Sequence, residues 1–210
     1  MTERSYLLTE EIARQTVEVI FNVEEKEEWF ICFSNPTAGP WKLVKIYNPA
    51  RPDEPEIAGS YLKEEKRPDL VLYSYKHKIF ILLEAKKNVT ELFSRGQIEK
   101  TIKMFDAEIA KLKAIPQISQ EIESGETYTF ITGFLYPSHD PVNDLKTFHK
   151  SFVEILSEQT TQEIHEYITF IISPLEDKSL KAFWHLASVS GQEPLLTKIL
   201  SDSFPTGVTQ

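Results

Sequence analysis

The chain has 210 residues, of which 41% are hydrophobic and 26% charged, a composition typical of one globular domain, 1–210, with a sizeable core at about 60–172. No apolar run approaches the roughly 20 residues of a membrane helix, and the N-terminus lacks a basic segment followed by an apolar one, so a cytoplasmic protein without a membrane partner is expected. Cys32 is the only cysteine, which excludes an intrachain disulfide and a thiolate zinc cluster, and the formal charge of −9 argues against tight nonspecific binding to polyanions.

A helix is predicted near the start of the chain. Thr9 is an N-cap signal before an apolar stripe, and Glu11 and Glu18, seven residues apart, lie on one face of that helix. By pattern alone the two glutamates are surface acids.

The next predicted element with functional content is a β-hairpin. Residues 68–75 and 78–86 are rich in apolar, β-branched and aromatic side chains and predict two strands around a turn at Lys76 and His77. Antiparallel pairing about that turn sets residue i opposite residue 153 minus i, so Asp69 falls opposite Glu84. Lys86 lies on the same face as Glu84, one pleat further along. The pattern therefore predicts two carboxylates and one ammonium on one surface.

This cluster has two interpretations. Facing carboxylates repel each other, and Lys86 alone could relieve them as an ordinary ion-pair partner. The strands are apolar on both faces, however, as in a buried central pair, where charges are costly unless they serve a function or bind a metal. The functional interpretation is favoured, although the turn lacks the glycine chemistry of two-residue hairpins, which leaves the register open to a slip.

The remaining elements alternate between helices and strands. A helix is predicted over 97–115, a strand over 127–136, a helix over 142–158, a strand over 164–172 and a helix over 178–187. In the first of these helices, apolar residues at helical spacing predict a buried stripe: Ile98, Ile102, Phe105, Ile109 and Leu112. The expected fold class is α/β, a central mixed β-sheet flanked by helices.

The residues Pro68-Asp69, followed after a strand by Glu84-Ala85-Lys86, resemble the Pro-Asp…(Asp/Glu)-x-Lys signature of the restriction-endonuclease-like nuclease superfamily. The resemblance covers about residues 60–105. It implies Asp69 and Glu84 as Mg²⁺ ligands, the Ala85 carbonyl as a further ligand and Lys86 as the residue that orients or deprotonates the attacking water.

The same resemblance suggests further site residues. Members often place a glutamine near the start of the following helix in the active site, and Gln97 stands in a similar place; the alternative is a polar residue in the first helical turn. A helix before the core often contributes a glutamate, which makes Glu11 or Glu18 a candidate.

Phosphodiester hydrolysis itself requires residues of these types, apart from any family resemblance. A hard cation with oxygen ligands polarises the phosphoryl oxygen and lowers the pKa of a bound water, and a lysine steadies the developing negative charge. Residues 42–113 carry a net charge of +4 and the rest of the chain −13, so positive charge gathers around the motif.

The sequence thus favours an endonuclease that uses Mg²⁺, with Mn²⁺ as a possible substitute, and hydrolyses double-stranded DNA. A homodimeric type II restriction enzyme that cuts a short specific site is the first expectation. Two alternatives stay open: a repair or recombination nuclease that recognises DNA structure, and a non-cleaving nucleic-acid or protein binding module of the same fold.

Overall fold

The computed structural model describes residues 29–34, 41–46, 56–62, 67–86, 94–137, 140–158, 166–174 and 180–188. Eleven elements lie in these ranges: β1 (Phe30–Ser34), β2 (Trp41–Ile46), β3 (Glu56–Leu62), β4 (Leu70–Ser74), β5 (Ile79–Ala85), α1 (Arg95–Lys113), α2 (Pro116–Glu123), β6 (Thr129–Pro137), α3 (Pro141–Glu158), β7 (Glu166–Pro174) and β8 (Leu180–Ser188).

Six of the strands form one mixed sheet in the order β1-β4-β5-β6-β7-β8. Its first three strands are antiparallel neighbours, β5, β6 and β7 run parallel, and β8 returns antiparallel to β7. Strands β2 and β3 form a separate two-stranded sheet. The prediction of an α/β fold with a mixed sheet and flanking helices is confirmed. No helix in the described part of the chain has the length and apolar character needed to cross a membrane.

The hairpin β4–β5 forms with the predicted register. Leu70 pairs with Leu83, Leu72 with Ile81, and every other pair also sums to 153. The loop has four residues, 75–78, and Lys78 adopts the left-handed conformation with φ 54°. Four-residue hairpin loops do not require the Asn-Gly or Gly-X pair that two-residue loops prefer, so the absence of such a pair is compatible with the observed register.

Helix α1 covers one face of this hairpin. Its predicted apolar stripe is buried throughout. On the same side of the sheet lie Val71 and Tyr73 of β4, and Phe80 and Leu82 of β5, in one core cluster with the α1 stripe. Because side chains alternate along a strand, the helix-covered face is also the face of residues 69 and 84.

Helix α3 completes that layer beside α1. Phe134 of β6 makes edge contacts with Phe105 of α1 at 5.8 Å and with Phe148 and Phe152 of α3 at 5.0 and 5.5 Å between ring centroids. Arg95, at the start of α1, pairs with Glu158, at the end of α3, so these two helix ends are in contact. These aromatic contacts fix the helix layer over the parallel strands.

The prediction of a helix over 178–187 was wrong. The chain forms strand β8 at Leu180–Ser188, which pairs with β7 over nine residue positions. Apolar residues at 180, 183, 184 and 187 fit helical spacing, but only five residues separate the strands, and short connections favour an antiparallel neighbour. Helix α2 was not predicted, although Pro116 at its first position and the Ile118 and Ile122 pair one turn apart are helix signals.

Candidate functional site

The two predicted carboxylates come together at the open end of the hairpin. Val71 and Leu82 are paired and face α1. The register continued past the last pair, Leu70 and Leu83, sets Asp69 opposite Glu84, and the two carboxyl groups interact through charge and a hydrogen bond. The backbone N–H of Ala85 points toward β4, and that of Lys86 points to Leu135 of β6 at 2.8 Å. Asp69 and Glu84 therefore occupy a position of the non-hydrogen-bonded type, where opposed side chains approach most closely.

Asp69 is fixed by the backbone of the facing strand. The Ala85 N–H donates a hydrogen bond to Asp69 Oδ2 at 2.8 Å, and Asp69 is only 9% exposed. The β4 ladder ends at Leu70, so the Asp69 side chain takes the place of the next ladder acceptor. Since the N–H and C=O of one strand residue point the same way, the Ala85 carbonyl lies on the Asp69 side as well.

Glu84 and Lys86 form an ion pair on the same face. Lys86 Nζ lies 2.5 Å from Glu84 Oε1, and the two side chains are only 11% and 12% exposed, respectively. The second carboxylate oxygen, Glu84 Oε2, is buried and accepts no hydrogen bond from the described residues. Lys86 therefore serves one oxygen of Glu84 and leaves the other without a donor.

The pKa of Glu84 is raised from 4.5 to about 7. Burial is the largest cause, the negative charge of Asp69 is the second, and a hydrogen bond between the two carboxyl groups acts in the same direction. The charge and the hydrogen bond of Lys86 oppose the rise without cancelling it. If both acids were ionised, they would carry more negative charge than one ammonium neutralises, and the site therefore favours a proton on Glu84 when no cation is bound.

This donor set suits a hard divalent cation. The carboxyl groups of Asp69 and Glu84 interact with each other, and Mg²⁺ is commonly held by one or two carboxylates with waters completing the shell. The described ranges contain no cluster of three or more histidine, cysteine or acidic side chains, so a cation held here would take its protein ligands from Asp69, Glu84 and a backbone carbonyl. The buried Glu84 Oε2 accepts no hydrogen bond from the described residues, and either a proton shared with Asp69 or a bound cation would satisfy it.

The other predicted site residues are not joined to this cluster. Gln97 lies half-buried in the first turn of α1, its backbone carbonyl accepts the Thr101 hydroxyl at 3.0 Å, and its side chain makes no hydrogen bond with Asp69, Glu84 or Lys86. Glu11 and Glu18 lie outside the described residues.

A buried ion pair beside the cluster was missed by sequence reasoning. Arg67, two residues before Asp69, donates to Glu108 of α1 from both Nε, at 3.1 Å, and Nη2. The two side chains are 0% and 1% exposed. Glu108 follows Phe105 by three residues on the buried side of α1, and an acid at such a position was the available signal.

A second lysine–glutamate pair lies at the turn end of the same hairpin. Lys78 donates to Glu121 Oε2 of α2, which also accepts from the Tyr128 hydroxyl at 2.7 Å, and Gln117 donates to Glu121 Oε1 at 3.3 Å. The Lys78 ammonium stands 4.2 Å from the centre of the Tyr75 ring. This turn cluster, Lys78, Glu121, Tyr128 and Gln117, has a donor for each oxygen of its carboxylate.

Comparison with known proteins gives no relative: no family model, no curated protein and no solved structure matches the chain. The functional argument therefore rests on the residues and their geometry.

Proposed function

We propose that this protein is a Mg²⁺-dependent DNA endonuclease of the restriction-endonuclease-like type, with a type II restriction enzyme as the first candidate. One observation carries the proposal: Asp69 and Glu84 face each other at the end of a buried hairpin, with Lys86 on the same face as Glu84. This arrangement supports the proposal, because the proposed roles of Asp69, Glu84 and Lys86 require the three side chains to lie close together.

In this proposal Asp69, Glu84 and the Ala85 carbonyl hold the cation. When bound there, the ion would polarise the scissile phosphoryl group and lower the pKa of a water. Asp69 is oriented for this task by the Ala85 N–H, so its carboxylate does not have to be ordered on binding. Mn²⁺ accepts the same oxygen ligands and is expected to substitute.

Lys86 is the residue that faces the reacting groups. If a divalent cation were held by Asp69 and Glu84, the Lys86 ammonium would be available to hydrogen-bond to the attacking water or to a phosphate oxygen. A lysine ammonium is a compact donor that stabilises the negative charge developing on the phosphoryl oxygens. The role needs only the placement of Lys86 two residues after Glu84 on one strand face.

Charge distribution supports a polyanionic substrate. Residues 42–113, which contain the cluster, carry a net charge of +4 on a chain of −9 overall. A local excess of positive charge guides DNA to a site even on an acidic protein. For the type II candidate we further propose a homodimer, because two symmetric sites cut both strands of a palindromic duplex.

The test is cleavage of plasmid DNA by purified protein with Mg²⁺, and with Mn²⁺ in parallel. Discrete fragments identify a site-specific restriction enzyme, whereas smears or a preference for branched substrates identify a repair nuclease. Asp69→Asn and Lys86→Met are expected to remove the activity, and Lys78→Met is the matched lysine control at the other end of the hairpin. Intact plasmid with both metals, across a panel of linear and branched DNAs, contradicts the proposal and leaves the binding module.

A further inference from the structure

The buried ion pair Arg67–Glu108 links the approach to β4 with helix α1. Arg67 donates through Nε and Nη2 to the two oxygens of one carboxylate, the side-on bidentate geometry that fixes both side chains. Neither side chain is more than 1% exposed. A change at either residue therefore acts on the segment that carries Asp69.

Stability alone does not explain such a pair. Two charges buried together lose their hydration, and well-packed apolar residues of similar size commonly give an equally stable or more stable protein. An apolar pair does not fix the relative orientation of its two side chains, whereas the guanidinium fork and the carboxylate hydrogen-bond in one mutual orientation. The ion pair is therefore better explained by its effect on the position of the chain around Arg67 than by its effect on stability.

The short segment from Arg67 to Asp69 is conformationally restricted, so the position of Arg67 constrains that of Asp69. Pro68 fixes its own φ and restricts the residue before it, so the path from Arg67 to Asp69 has few conformations. Asp69 lies outside the β4 ladder, which begins at Leu70, and its carboxylate must still reach the Ala85 N–H. Anchoring Arg67 on α1 provides the constraint that the ladder does not.

We propose that Arg67 and Glu108 are positioning residues: their ion pair sets the carboxylate of Asp69 on the Ala85 N–H, opposite Glu84. The role of this placement in catalysis rests on the proposed nuclease function, whereas the placement itself does not. Two readouts separate the two claims.

The first readout is hydrogen exchange at the Ala85 amide in the full chain, followed by NMR. The decisive variant is the double substitution Arg67→Met with Glu108→Leu, which removes both charges and keeps apolar volume, so the protein is expected to fold with an unchanged or higher Tm. Ala85 should then exchange about fivefold to tenfold faster, the factor that corresponds to the net contribution of one hydrogen bond. Arg67→Lys, which keeps the charge but loses the fork, should give an intermediate rate.

A matched control removes the partly buried ion pair at the turn end of the hairpin. The double variant Lys78→Met with Glu121→Leu should leave the Ala85 amide at the wild-type rate. Wild-type exchange at Ala85 in the Arg67 and Glu108 double variant, with the fold retained, overturns the inference.

The second readout is the rate of plasmid cleavage. If wild-type protein cuts DNA, the double variant of Arg67 and Glu108 should cut at least about tenfold more slowly with a pH profile displaced from wild type, and Arg67→Lys should recover part of the rate. If wild-type protein does not cut, the nuclease proposal fails while the Ala85 result still decides the positioning role.

Discussion

Each end of the β4–β5 hairpin carries a lysine–glutamate ion pair, but the pKa of the glutamate is shifted in opposite directions at the two ends. At the open end Lys86 pairs with Glu84, and at the turn end Lys78 pairs with Glu121. The pKa of Glu84 is raised to about 7, whereas that of Glu121 is lowered from its usual value. The open end is the more buried, but burial acts on both glutamates in the same direction.

The difference lies in the neighbours of each carboxylate. Burial alone would raise the pKa of Glu121, but hydrogen bonds from Lys78, Tyr128 and Gln117 together outweigh it. Glu84 has Lys86 as its donor and faces the second acid, Asp69. A satisfied carboxylate is typical of structure, and an undersatisfied pair of acids is typical of a site that binds a cation.

The largest expected effect is a difference in DNA cleavage rate between variants of Glu84 and of Glu121. Glu84→Gln should lower the DNA cleavage rate by about 10³-fold, because a metal ligand and an oriented charge are lost together. Glu121→Gln, the matched control, should stay within about twofold of wild type. Initial rates of plasmid nicking at saturating Mg²⁺ measure both, and equal losses in the two variants would remove the distinction between the ends.

The next effect is a pH dependence of stability in metal-free protein. Glu84 has a pKa of about 7 in the folded state and 4.5 as its unperturbed value, so between these values the folded state binds the extra proton. Its stabilising contribution is complete below about pH 4.5 and is lost as the pH rises through 7, with a total on the order of 3 kcal/mol.

Glu84→Gln does not titrate, so the stability of wild type relative to this variant should fall between pH 5 and 8. Denaturant unfolding in EDTA at several pH values measures the difference. The Glu121→Gln comparison should run the other way, because the pKa of Glu121 is lowered and its contribution is lost as the pH falls. A wild-type advantage that grows with pH in the Glu84 comparison contradicts the assignment.

Cation binding should stabilise the open end selectively. Mg²⁺ at 100 times its dissociation constant contributes about 2.7 kcal/mol, which raises the Tm of a chain of this size by about 5–10 °C. Asp69→Asn should lose most of this shift, and Glu121→Gln should keep it. Differential scanning calorimetry with Mg²⁺ and with EDTA gives the numbers, and a full shift in Asp69→Asn places the cation elsewhere.

The smallest effect concerns the turn end. Lys78→Met removes a partly buried ion pair and the ammonium beside the Tyr75 ring, so it should cost about 1 kcal/mol of unfolding free energy. DNA cleavage should be unchanged, because Lys78 lies at the end of the hairpin away from Asp69. A loss of cleavage with an intact fold would show that the two ends are coupled.

The hairpin and its register could be predicted because local sequence determines them. Two apolar runs flank Lys76 and His77, and the short loop between them fixes which residues of the two strands pair. The same logic predicted the buried stripe of α1, where a period of 3.6 residues marks one helix face.

Other features depend on contacts that the local pattern does not contain. Residues 180–188 fit a helical period, and pairing with β7 overrides it. The contact between Arg67 and Glu108 spans 41 residues, and no sequence spacing selects that partner. The cation between Asp69 and Glu84 remains a prediction.

The proposed cation site at Asp69 and Glu84 is best tested with a crystal of the full chain soaked in Mn²⁺, because the anomalous signal locates the ion without reference to activity. We predict a peak about 2 Å from carboxylate oxygens of both Asp69 and Glu84, with Lys86 Nζ moved away from Glu84 Oε1. A peak elsewhere, with the Glu84–Lys86 ion pair intact at saturating Mn²⁺, would contradict it.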